Sequence, residues 1–251
     1  MTQQILFGDC MDLLKNIPNN IVNAVITDLP YGITANKWDT VLPLDALWKE
    51  YLRVSKENAV FVFTGCQPFT TTLINSNITL WRHEWVWIKN RGSNFANTVR
   101  EPFKEHETIQ VFSKGKWTYN KQMQKRTGAG LDRVKYSFNK VPQSDNYRKF
   151  DSIQQNQGEL RVPSSWQKFN TEVGLHPNQK PVALMEYLIK TYTNEGDLVL
   201  DNCAGSGSTL VAAKKLNRQF IGIEKEESYY NTIVDRLSVM DESKKRIKEL
   251  F

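Results

Sequence analysis

Residues 198–216, LVLDNCAGSGSTLVAAKKL, run from an apolar stretch through a glycine-bearing turn into good helix formers. A second apolar stretch, residues 220–223, follows within a few positions. Strand, tight turn, helix and strand in that order build a right-handed crossover, so the two strands lie parallel in a sheet covered by helices. That confines the chain to an α/β fold. Gly205 and Gly207 let the backbone come close to a ligand, Ser208 and Thr209 begin the helix, and Glu224 ends the second strand. An acid at that tip is placed to accept both hydroxyls of a ribose. The turn reads Gly-Ser-Gly-Ser-Thr-Leu, without the third glycine of a dinucleotide fingerprint and without the Gly-Lys-Ser/Thr of a phosphate loop. Asp201, just before it, would repel a pyrophosphate. A nucleoside without phosphates fits better, and S-adenosylmethionine, with an amino group for an acid to bind, is one.

A second stretch raises a related question. Residues 21–27 read as a buried strand, and Asp28, Leu29, Pro30, Tyr31 and Gly32 then put a carboxylate, a kink and an aromatic ring at its carboxyl edge. Ligands of open α/β sheets bind at that edge. The plain structural alternative is a capping turn with an exposed ring. Around this strand the sequence predicts a short helix over 10–17, a helix opened by Pro43, and strands over 59–64, 85–89 and 107–113. Trp48, Phe61 and Phe63 are read as core. Regular structure resumes with a helix after Pro181, the strand and helix of the glycine turn, a strand over 220–223, and a charged amphipathic helix from Tyr229.

Between residues 113 and 172 apolar periodicity fades. Residues 113–149 alone carry ten cations against two acids, a local charge of +8 that exceeds the +6 of the whole chain. Trp117, Tyr119, Tyr136, Phe138 and Tyr147 are interleaved. A solvated insertion is one reading; phosphate contacts combined with base stacking is the other. We expect residues 1–112 and 173–251 to form the two parts of one α/β domain, interrupted by a basic insertion at 113–172. Lys121, Lys125, Arg126, Arg133 and Lys135 are its candidate DNA contacts. The three cysteines are scattered singly, and His83 and His106 lack partner acids at metal spacing, so no metal site is expected. No apolar run is long enough for a membrane span, and the first residues do not read as a secretion signal, which leads to the expectation of a cytoplasmic protein.

Three motifs together resemble the amino-methylating DNA methyltransferases, which modify N6 of adenine or N4 of cytosine. Asp28-Leu29-Pro30-Tyr31 is similar to their catalytic [DNS]PP[YFW]. Residues 201–209 resemble DPFxGSGST, and His176-Pro177-Asn178-Gln179-Lys180-Pro181 matches HPxQKP. The order, catalytic motif first and glycine turn last, is that of the family's β group. The resemblance implies a doubly wound, mostly parallel sheet with circularly permuted motif order. It implies S-adenosylmethionine as cofactor, bound by Asp201, Ala204, Gly205, Gly207, Ser208, Thr209 and Glu224. His176, Asn178, Gln179 and Lys180 line its methionine end. Residues 5–9 then supply the strand next to that of Glu224, and Asp9 contacts the adenine amine, or caps the helix that follows, or both.

The same resemblance assigns chemistry to the opening motif. An exocyclic amine conjugated to its ring is a poor nucleophile. The Asp28 carboxylate and the Leu29 carbonyl accept its two hydrogens, draw the nitrogen towards tetrahedral geometry and stabilise the developing positive charge. Leu29, where the family has proline, keeps that carbonyl. Pro30 fixes the turn, and Tyr31 stacks on a base that has left the duplex. Residues 32–39 form a loop over it. Asn202-Cys203 stand where the family has Pro-Phe. Methylation at cytosine C5 is excluded because no cysteine follows a proline. The expected activity is N6-adenine methylation of double-stranded DNA, by a monomer or homodimer, as in restriction-modification or phage-borne enzymes. N4-cytosine methylation and an inactive DNA-binding relative are the alternatives.

Overall fold

The structure, a computed structural model, describes residues 2–34, 36, 39–128, 130–131 and 158–249, with side chains to residue 242. Contacts divide the chain into two units, 1–120 with 165–251, and 121–164. The larger unit holds an eight-stranded sheet. Its strands are β1 (Gln3–Phe7), β2 (Val22–Thr27), β3 (Ser55–Gly65), β4 (Trp81–Ile88), β5 (His106–Ser113), β8 (Trp166–Lys168), β9 (Leu198–Asp201) and β10 (Gln219–Glu224), in the order β1-β10-β9-β2-β3-β5-β4-β8. Strands β1, β10, β9, β2 and β3 are parallel; β5 runs antiparallel to both β3 and β4.

Alternation along the central strands sorts the core into two faces. Ala24 and Ile26 of β2 pack with Val60, Val62 and Val199 under α4 (Val182–Tyr192), α5 (Ser208–Lys215) and α6 (Glu227–Glu249). Val25 points the other way with Phe61, Phe63 and Leu200, against α1 (Cys10–Leu13), α2 (Leu44–Val54) and α3 (Phe69–Ser76). Trp48, Phe61 and Phe63 are buried, as read from the sequence, with Trp48 edge-on to both rings. Helix α3 and strand β8 carry no periodicity long enough to have been read in advance.

This winding has one consequence for function. From β9 the chain returns through α5 to β10 on one side, and from β2 through α2 to β3 on the other. The adjacent carboxyl ends of β9 and β2 are therefore the point where the direction of winding reverses, and a crevice opens there. The glycine turn leaves one of these strands and Asp28 follows the other.

The smaller unit contains a two-stranded ribbon, β6 (Gln124–Lys125) with β7 (Leu160–Arg161). Lys121 and Lys125 are exposed. The Arg126 Nε donates to the carbonyls of Gly158 and Leu160, at 3.1 and 3.0 Å. Arg133 and Lys135 lie outside the described residues.

Candidate active site

A cavity of about 870 Å³ opens at this reversal point. Every catalytic and cofactor-binding residue expected from the sequence lines it except Gly207. Gly207 acts from behind: its φ of +78° starts α5, and a Cβ there would meet Ile233 at 2.9 Å.

At the end of the cavity expected from the sequence to take the target amine, the target end, β2 delivers Asp28 into a set of donors. Its Oδ1 accepts from the Tyr31 hydroxyl at 2.6 Å and from the Thr64 hydroxyl near the end of β3. Its Oδ2 accepts from Lys180 Nζ at 2.6 Å. Lys180 is buried and lies 3.4 Å from Glu107 Oε2, while Glu107 Oε1 pairs with Lys89. The result is a row of alternating charge: Asp28, Lys180, Glu107, Lys89. Burial alone would lower the Lys180 pKa, but Asp28 and Glu107 hold it above the ordinary lysine range. Burial would likewise raise Glu107, and Lys180 and Lys89 pull it below the ordinary glutamate value. The Tyr31 phenol is kept protonated by burial and then by the carboxylates of Asp28 and Glu107. Its half-buried ring stacks on Phe69, centroids 5.1 Å apart.

Sequence reading assigned Lys180 to the cofactor's methionine end and gave Glu107 no role. The structure puts the Lys180 ammonium on Asp28, with Glu107 behind it. The available signal was a carboxylate near the start of a strand that runs antiparallel to β3. Leu29 is 2% exposed and its side chain joins the core face of Val25, Phe63 and Phe69. The loop after Tyr31 folds onto a single acid: Asp39 accepts from the backbone N–H groups of Gly32, Ile33 and Thr34, at 2.7–3.0 Å. Burial would raise the Asp39 pKa, but these donors hold it below the ordinary value.

The nucleoside end is built differently. Glu224 Oε2 accepts from Gly205 N at 2.7 Å and Oε1 from Glu226 N at 2.8 Å. Burial pushes its pKa up against these donors. Asp9 caps α1 through Met11 N at 2.8 Å and still lines the cavity. Asp201 is 3% exposed, and burial raises its pKa to about 6 although the Cys203 N–H donates to it at 3.2 Å and the Thr27 and Thr209 side chains beside it pull the other way. Asn202 is buried and accepts from the Tyr51 hydroxyl at 2.6 Å, which leaves Cys203 at the wall. Rings come instead from His176 and Tyr229, 4.3 Å apart, and the sequence reading missed Tyr229 as a cavity residue. Asn178 donates its backbone N–H to His176 Nδ1. Gln179 binds Glu172, which in turn caps α4 through Val182 N.

These residues fit a nucleoside carrying a positive charge. The carboxylates of Asp201 and Glu224 face the cavity at the glycine turn, while Arg236 binds the Ser206 carbonyl and is not among the cavity's lining residues. The Ser208 hydroxyl is buried with no hydrogen-bond partner among the described residues. At Gly205 the backbone has φ +52°, and a Cβ there would already stand in contact with the His176 ring, at 3.7 Å. No group of side chains able to hold a metal ion occurs among the described residues, and no described helix is long and apolar enough to cross a membrane.

Comparison with known proteins agrees with this geometry. A family model described as DNA methylase, of the N6/N4 methyltransferase class, matches residues 22–235. The chain is 29% identical to the type II methyltransferase M1.MboII of Moraxella bovis, over 89% of this chain and 92% of that one. It is 27% identical to the type II methyltransferase M.HpaI of Haemophilus parainfluenzae, over 94% and 74%. Among solved structures it resembles the M1.HpyAVI–SAM complex, with a TM-score of 0.62 and 25% identity, covering 93% of this chain and 98% of the other. It shares its fold with the cytosine-N4-specific PvuII DNA methyltransferase, with a TM-score of 0.67 and 17% identity over 94% and 86%.

Proposed function

The chain belongs to the N6/N4 DNA methylase family, and we propose that this member methylates the N6 amine of adenine in double-stranded DNA, with S-adenosylmethionine as methyl donor. The observation that carries the reading is the position of Asp28. It sits at the carboxyl end of β2, one strand from the glycine turn, facing the same cavity, with Tyr31 beside it. Aspartate rather than serine at this position favours adenine over cytosine.

When bound, the cofactor supplies an electrophilic methyl group on a sulfonium. Asp201, Glu224 and Asp9 would hold its amino, ribose and adenine groups, and Ser208 would gain the partner it lacks. The protein's own part is positioning and electrostatics. Asp28 accepts one amine hydrogen and the Leu29 carbonyl the other. For this to happen the amine must take over an oxygen of Asp28 from Lys180. Glu107 Oε2, 3.4 Å from the ammonium, is the acceptor to which Lys180 then turns. Lys180 is held charged, so it is an electrostatic partner and not a base. Tyr31, anchored on Phe69, offers its ring to the extruded base.

We assign target recognition to residues 113–172, where Lys121 and Lys125 are exposed. Arg126 holds the ribbon together through carbonyls, so its contribution is partly structural. The decisive experiment is expression in a host without DNA methylation, followed by modification-sensitive sequencing and nucleoside digestion. N6-methyladenine at a defined site is the expected product. N4-methylcytosine would reassign the base, and unmodified DNA would leave an inactive relative.

A further inference from the structure

Residues 89–105 join β4 to β5 and form one rim of the cavity. Their backbone is held in place. Asn94 donates to Glu101 and to the Pro102 carbonyl, and accepts from Lys104 N at 2.6 Å. The Phe103 ring lies so close to Gly92 that a Cβ there would approach it to 2.5 Å. The loop leaves Phe95 81% and Val99 85% exposed, and of these two Phe95 lines the mouth of the cavity, on a short 3₁₀ turn (Phe95–Asn97). Arg91 and Arg100, both exposed, flank it on the same loop.

We propose that Phe95 is a wedge that enters the DNA duplex and fills the gap left by the target base. This rests on the DNA reading above. Reaching Asp28 requires the base to leave the stack, which costs a few kcal/mol. Proteins that unstack base steps frequently do so by inserting an apolar side chain, and cations beside it are placed to bind the phosphates. The loop meets each requirement: a large bare ring, fixed backbone, two neighbouring cations, and a position at the entrance through which the base must pass.

The test uses the full-length enzyme and duplexes carrying its methylated site, once sequencing has identified it. Phe95→Ala is compared with the parent enzyme on a matched duplex and on one whose target base faces an abasic position. On the matched duplex we expect methylation to fall about ten- to a hundred-fold and the fluorescence rise of 2-aminopurine at the target position to be lost. On the abasic duplex, where flipping is easy, the variant should come within a few-fold of the parent. The thermal shift given by S-adenosylmethionine and the melting temperature should be unchanged, because so exposed a ring contributes little packing. An unaffected matched duplex, or an equal loss on both duplexes, overturns the wedge while leaving the methyltransferase reading intact. A parent enzyme that modifies no DNA overturns both.

Discussion

Glu224 and Asp9 at one end of the cavity and Asp28 at the other are held by opposite means. Around the glycine turn, Glu224 and Asp9 accept from backbone N–H groups. Such donors fix an acid without cancelling its charge, so this end remains negative and suits a cationic ligand. At the target end Asp28 accepts from a lysine and two hydroxyls, and its charge is already balanced. On the proposed function, a neutral amine arriving there would not meet a bare anion; it would exchange places with Lys180. One end is a fixed mould, the other a set of partners to be displaced. On the proposed function the same residue type would serve binding in one place and catalysis in the other.

The sharpest way to break this division is Asp28→Ala. Methyl transfer should fall on the order of 100- to 1000-fold, while the thermal shift given by S-adenosylmethionine persists, because Asp28 faces the amine. Equal loss of both would mean that the two ends are not separate. The complementary change is Gly205→Val. At ligand about 100 times its dissociation constant the parent should gain roughly 2.7 kcal/mol of stability. The variant should gain none, since its side chain fills the space before His176. Calorimetric melting with and without ligand checks both.

The nucleoside end was legible in the sequence because its parts are consecutive: strand, acid, glycine turn and helix occupy residues 198–216, and their backbone geometry is local. The target end was legible only up to Tyr31. The partners of Asp28 lie 36 positions away at Thr64 and 152 away at Lys180, brought together by sheet order. No periodicity reports that an ammonium from ahead of α4 meets a carboxylate from β2. Nor does the sequence show that the Leu29 side chain, rather than only its carbonyl, has a use. Leu29 follows a strand directly and inherits its inward direction.

A smaller effect should separate the two ends by pH. The folded Asp201 carboxyl titrates near 6, above the roughly 3.9 of an unfolded aspartate. Between these values the folded state binds the extra proton, so this group's contribution to stability falls as pH rises from about 4 to about 6. Asp201→Asn removes that loss and should be more stable than the parent at pH 7, by about 2–3 kcal/mol. Cofactor affinity runs the other way, rising in the parent as Asp201 ionises through about pH 6 and staying flat and weak in the variant. Stability and affinity moving together would refute the placement of Asp201. At the target end, Tyr31→Phe keeps the stacked ring but removes one donor to Asp28. A hydrogen bond to a charged group supports about a tenfold loss in turnover, with cofactor affinity unchanged.

The smallest effect on turnover should come from Leu29→Pro, which restores the family's residue. The carbonyl that accepts the second amine hydrogen survives, so kcat should stay within a few-fold of the parent. Stability should not survive intact. Leu29 is 2% exposed among Val25, Phe63 and Phe69, and a proline ring fills that space imperfectly and fixes φ. A loss of about 1–3 kcal/mol is the usual size for such a misfit in a packed core. Activity measured well below the melting temperature would thus be nearly normal in a protein that melts several degrees earlier. A large fall in kcat at unchanged stability would show that the Leu29 side chain or N–H, and not its carbonyl, serves the target end.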